Sequence, residues 1–62
     1  MKPEQLKALR NKLGLSVIQA AEQVHVTGRS WSRYEDGTRP VPDGVIHLFC
    51  ILNDLDHTKY LR

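Results

Sequence analysis

Apolar positions recur at helical spacing from the first residues of this chain. Leu6, Leu9 and Leu13 mark one buried stripe and predict a first helix from Pro3 to about Leu13. Pro3 suits the opening position and Glu4 the positive helix end, and Gly14 stops the run. Ser16 and Gln19 spell a capping box that opens a second helix, about 16–24, whose face of Ala20, Ala21 and Val24 admits a close neighbour. His25-Val26 forms the turn, with Val26 directed into the core. Thr27 caps a third helix, about 27–36, in which Trp31 and Tyr34 are the large apolar residues and Gly37 the terminator. Two prolines hold Thr38-Arg39-Pro40-Val41-Pro42 extended. Asp43 then caps a fourth helix, roughly Gly44 to Asn53. Its Val45, Leu48, Phe49 and Leu52 share a face expected to point at the core. Ile46, Cys50 and Ile51 project elsewhere, under the tail against Tyr60 and Leu61 or against a second subunit. The tail from Asp54 to Arg62 adds a short fifth helix. No segment alternates with period two, so the predicted fold is all-α, with four to five helices.

Two charges fall on apolar stripes. Arg10 lies beside Leu6 and Leu9 on the first helix, and Glu35 lies one turn after Trp31 on the third. An unpaired charge at either place is costly. Opposite signs on two inward faces predict an ion pair, Arg10 to Glu35, fixing the first helix against the third. The alternative is that both side chains reach water separately.

On the third helix, at about 100° per residue, Thr27, Trp31 and Tyr34 gather on one side and Arg29, Ser32, Arg33 and Asp36 on the other. A solvated surface would also carry two arginines one turn apart. The preceding short helix and tight turn favour a different reading, because that geometry makes the third helix protrude. Such a helix fits a DNA major groove, where arginine can pair with the N7 and O6 of guanine. Arg29, nearest the helix start, is the first candidate base reader, and Arg33 is placed for a base or a phosphate. Ser30 and Ser32 can donate to either, and Gly28 permits close backbone approach. Thr27, Thr38 and Arg39 are candidate phosphate contacts. Lys12 and Lys7 could extend the set, although solvated surface lysines account for them better. Asp36 would repel phosphate, so it faces away from DNA or holds Arg33.

Composition limits the alternatives. The chain has 62 residues, a single cysteine and a net charge of +2. The length predicts one domain, residues 1–62, near the lower limit for folding without a staple. One cysteine excludes an internal disulfide, and the histidines lack metal-ligand spacing. Cys50 reads most simply as a small core residue. The basic balance, with a sequence pI near 9.0, suits nucleic-acid binding without establishing it. The N-terminus shows no signal peptide, and Val45 to Leu52 is too short to span a bilayer. A soluble cytoplasmic protein is expected, with no room for a separate sensor or catalytic domain. No metal, cofactor or small-molecule ligand is expected.

From Leu6 to about Leu52 the chain resembles the Cro/C1-type (Xre-like) helix-turn-helix family of phage and bacterial repressors. The residues that carry this are Leu15-Ser16, Ala21, Val26-Thr27, Ser32-Arg33-Tyr34-Glu35 and Gly37. The resemblance implies a five-helix DNA-binding domain, commonly dimeric, that binds palindromic operators and represses transcription. The Arg10 and Glu35 positions match an ion pair known in some members. The stretch RSWSRYEDGTRPVPDGV is similar to small anti-CRISPR-associated regulators, which autoregulate phage operons. Three positions depart from the family pattern. Val17 stands where many relatives carry Gln, His25 replaces the usual turn glycine and must tolerate positive φ, and Gly28 removes a common reading position.

The expected function is therefore a repressor of its own phage or mobile-element operon. It would bind double-stranded DNA at an inverted repeat as a homodimer through Ile46, Cys50, Ile51, Tyr60 and Leu61. Alternatives are an antitoxin, a restriction-modification controller, or a helix-turn-helix fold used as a protein-interaction module. An enzyme is not expected, since no paired carboxylates, nucleophile–base set or phosphate-binding glycine loop appears.

Overall fold

Local capping signals place most helix boundaries in the computed structural model, which describes residues 2–55. The four helices among them are α1 (Pro3–Lys12), α2 (Val17–Gln23), α3 (Gly28–Asp36) and α4 (Asp43–Leu52). The backbone N–H of Lys2 donates to Gln5 Oε1 at 2.9 Å, so Gln5 reaches back to close the start of α1. Ser16 and Gln19 form the expected reciprocal box at α2, at 3.1 and 2.9 Å. The Thr27 hydroxyl accepts the Ser30 N–H at 3.1 Å and caps α3. The start of α4 differs from expectation. Pro42 is the cap, no side chain closes this end, and Asp43 is already helical in the first turn. There its charge favours the helix dipole without capping it.

Three helices end in the same way. After α1, Leu15 N–H reaches Arg10 O and Gly14 N–H reaches Asn11 O. After α2, Val26 N–H reaches Ala21 O and His25 N–H reaches Glu22 O. After α4, Leu55 N–H reaches Cys50 O and Asp54 N–H reaches Ile51 O. These are Schellman motifs, which require a left-handed residue at the pivot. The pivots are Gly14 (φ 73°), His25 (φ 59°) and Asp54 (φ 55°). His25 thus adopts the positive φ that its place in the turn demands.

The core is built around Trp31, with Leu6, Leu9, Ala20, Ala21, Val24, Tyr34 and Phe49 buried about it. Trp31 meets Phe49 at 5.2 Å between ring centroids and Tyr34 nearly edge-on at 6.4 Å. Pairs of this kind add roughly 0.5–1.5 kcal/mol to the burial itself. α3 packs on both α1 and α2, and α2 also touches α4. The small residues Ala20 and Ala21, fully buried, let α2 and α3 approach. Val26 is half-buried against the core, as its place in the turn suggested.

The face of α4 is corrected. Ile46, Phe49 and Cys50 are its buried stripe, at 0–2 % exposure, whereas Leu52 is 53 % exposed. Val45 and Leu48 flank the core half-buried. Both sets of positions satisfy a helical period, because α4 is apolar nearly all round. Ile46 and Cys50, expected to face a second subunit, are interior to the chain. Tyr60, Leu61 and the expected fifth helix lie outside the described residues. Asn53 ties the end of α4 to α2, donating from Nδ2 to Gln23 Oε1 and to Phe49 O, both at 2.8 Å. No helix among the described residues is long and apolar enough to cross a membrane.

Candidate nucleic-acid interface

Three groups converge on one carboxylate behind α3. Arg10 Nε donates to Glu35 Oε2 at 2.5 Å and Nη2 donates to Oε1 at 3.1 Å, giving a forked pair. The indole N–H of Trp31 donates to the same Oε2 at 2.5 Å. The remaining Arg10 nitrogen, Nη1, reaches Leu15 O at 2.9 Å. Arg10 therefore joins α1, the loop before α2 and α3 through one guanidinium. This is the predicted ion pair, with side-chain exposures of 11 % and 10 %. The sequence reading missed the share of Trp31, although a buried indole N–H needs an acceptor and Glu35 stands one turn away on the same helix.

Burial pushes the Glu35 carboxyl upward, but hydrogen bonds from Arg10 and Trp31, with the charges of Arg10 and Lys7, outweigh it and hold its pKa below the usual value. The hydrogen bond to Glu35 raises the Arg10 pKa against its own desolvation. Both groups are thus held ionised.

The clamp fixes the inner side of α3 and leaves its opposite side outward. Arg29 is exposed, and its side chain has no hydrogen-bond or ion-pair partner among the described residues. Arg33 follows one turn later, about 6 Å along the axis, and is half-buried. Ser32 is exposed on the α1 flank, in a shallow concavity shared with Lys7, Glu35 and Asp36. Gly28 opens the helix half-buried.

Several other candidates are engaged within the chain. The Thr27 hydroxyl donates to Ser30 Oγ at 3.1 Å, and Arg39 Nη1 approaches the same oxygen at 3.4 Å. Ser30 is thereby an acceptor at the start of α3, with its hydroxyl turned to Thr27 and Arg39. Asp36 Oδ1 accepts from Thr38 N at 2.8 Å and from Thr38 Oγ1 at 2.7 Å. Thr38 thus directs both donors to Asp36 on the exposed surface, and Asp36 holds Thr38 rather than Arg33. Those two hydrogen bonds, assisted by the Arg33 charge, lower the Asp36 pKa. Arg39 and Lys12 are exposed. Val17, at the start of α2, is half-buried against the core instead of presenting a polar side chain outward. Among the described residues no group of three or more His, Cys, Asp or Glu is placed to hold a metal ion.

A short helix, a turn at left-handed His25 and a second helix with an outward basic face together describe a helix-turn-helix unit. Residues 4–58 match the helix-turn-helix domain family. The chain belongs to that family, in its Cro/C1 (Xre-like) form. Helix-turn-helix domains of this kind bind DNA, with α3 in the position of the recognition helix. The chain is also similar to the type II methyltransferase M.MspI of Moraxella sp, 46 % identical over 37 residues. That segment is 60 % of this chain and 9 % of the methyltransferase, so the likeness concerns a small part of the larger protein. No solved structure matched the chain.

Proposed function

We propose that this helix-turn-helix protein is a sequence-specific transcriptional repressor that acts by covering a promoter. The observation that carries this reading is Arg29. It stands exposed and without a partner among the described residues at the start of the protruding helix, while Arg10 and Glu35 hold the back of that helix in place. Arginine at such a position can make a forked contact to guanine, worth about 1–3 kcal/mol of discrimination. Arg33 is the second reader. Arg39, Lys12 and the capped start of α3 at Thr27 meet phosphates.

The active species in this reading is a homodimer on an inverted repeat, with two α3 helices about 34 Å apart in successive major grooves. The neighbouring exposed residues Ile51 and Leu52 at the end of α4 supply the apolar contact. The site of action is the bacterial cytoplasm, and the target is the protein's own phage or mobile-element operon. The similarity of residues 29–45 to anti-CRISPR-associated regulators favours an anti-CRISPR operon.

Selection from a pool of random duplexes, followed by a search for the recovered sequence upstream of the gene, tests this. Transcription from that promoter in vitro should fall when the protein is added. Unchanged or increased transcript would overturn repression, and a pool that never enriches would overturn specific binding.

A second reading has support of its own. The 37-residue likeness to a type II methyltransferase favours a controller in a restriction-modification system. A recovered operator lying before a methyltransferase or nuclease gene would decide for it.

A further inference from the structure

Three large apolar residues are exposed among the described residues, and two of them, Ile51 and Leu52, adjoin at the end of α4. The third, Ile18, stands apart on α2 at 63 % exposure. It does not serve the core, which α2 reaches through Val17, Ala20 and Ala21. Its Cγ1 lies 3.6 Å from the place where a Cβ on Gly28 would stand. Gly28 is the first residue of α3 and immediately precedes Arg29.

Nothing in the backbone calls for glycine at this position. Gly28 does not have positive φ, unlike Gly14 and Gly37. A Cβ there would meet Ile18 at ordinary contact distance and nothing closer. What the missing side chain does is leave Ile18 uncovered beside the start of the recognition helix. A longer residue at position 28 would lie over it.

We infer that Ile18, with the open position at Gly28, forms an apolar seat for the 5-methyl group of a pyrimidine in the major groove. This rests on the reading of α3 as the helix that enters that groove. Isoleucine offers no hydrogen bond, and the base edges in the major groove are otherwise donors and acceptors. The C5-methyl group is the one apolar feature they present. It comes from thymine or from 5-methylcytosine. The seat adjoins Arg29, so the methylated pyrimidine and the guanine that Arg29 pairs with occupy neighbouring positions.

The test uses the duplex recovered from the random pool, with each thymine replaced in turn by uracil and each cytosine in turn by 5-methylcytosine. Gain or loss of the methyl at one position should change the affinity of the wild-type protein about three- to fivefold, the effect of burying one such group. Ile18→Ala should lose that response, and Ile18→Val should keep it. A uracil effect names thymine as the source, and a 5-methylcytosine effect names the modified base. If Ile18→Ala responds to every methyl as wild type does, or if no methyl matters, the seat is overturned while operator binding stands. If the wild-type protein enriches no duplex, the reading of α3 fails and the seat fails with it.

Discussion

The indole nitrogen of Trp31 lies 2.5 Å from Oε2 of Glu35, one turn further along the same helix. The most deeply buried aromatic of the core and the anchor of the interhelix ion pair thus share one oxygen. Glu35→Gln removes the charge opposite Arg10 at a site where both side chains are about nine-tenths covered. Breaking a buried pair by removing one partner costs roughly 3–5 kcal/mol. With this exposure the expected loss is about 3 kcal/mol, read from urea unfolding. A Glu35→Gln variant that unfolds like wild type would show that the clamp contributes no stability.

Acid should weaken the fold through the same group. The pKa of Glu35 is lowered from 4.5 in the folded state. Its contribution is therefore complete above about pH 4.5, declines as the pH falls below that value, and is gone once the folded-state pKa has been passed. Unfolding free energy measured down that range should fall more steeply for wild type than for Glu35→Gln. Parallel curves would contradict the assignment.

Arg29→Ala should weaken binding to the selected operator by about 1–3 kcal/mol and relax preference at a single base pair. A repeated selection with the variant reads this directly. Unaltered sequence preference would remove Arg29 as the reader and pass the role to Arg33.

Arg39→Ala should weaken all duplexes alike and reduce the slope of log K against log salt by about one. Its guanidinium, close to Ser30 Oγ, is held near the start of α3, where a phosphate would meet it. Loss of discrimination without a change in salt slope would mark it as a base contact instead.

Ile51→Asp places a charge on the exposed end of α4. Sedimentation should show a shift from dimer to monomer, with operator affinity falling because the two half-sites are then bound independently. A wild-type protein that sediments as a monomer and occupies one half-site would exclude the proposed dimer.

Much of this fold was legible because its signals are local. Ser16 with Gln19, Thr27, Gly14 and Gly37 each announce a helix end through groups no more than a turn away. The Arg10–Glu35 pair was legible for a different reason, since charges on two apolar stripes require each other. The orientation of α4 was not legible. Val45, Leu48 and Leu52 make as good a stripe as Ile46, Phe49 and Cys50, and only packing against the other helices selects between them. At the interface, helical phase placed Arg29 outward, but it did not show that Asp36 engages both donors of Thr38. That contact depends on the path of the chain after Gly37, which sequence pattern does not specify.

The clamp at Glu35 also bears on how quickly the protein recognises DNA. α3 is tied to α1 and to the loop before α2 in the free chain, so its orientation is settled during folding. Association then requires little ordering of the recognition helix itself, and less binding free energy is lost to immobilising it. Loosening the clamp without unfolding the domain would therefore impair recognition at a distance. Arg29 would still be present, but it would spend less time in the orientation that the proposed base contact requires.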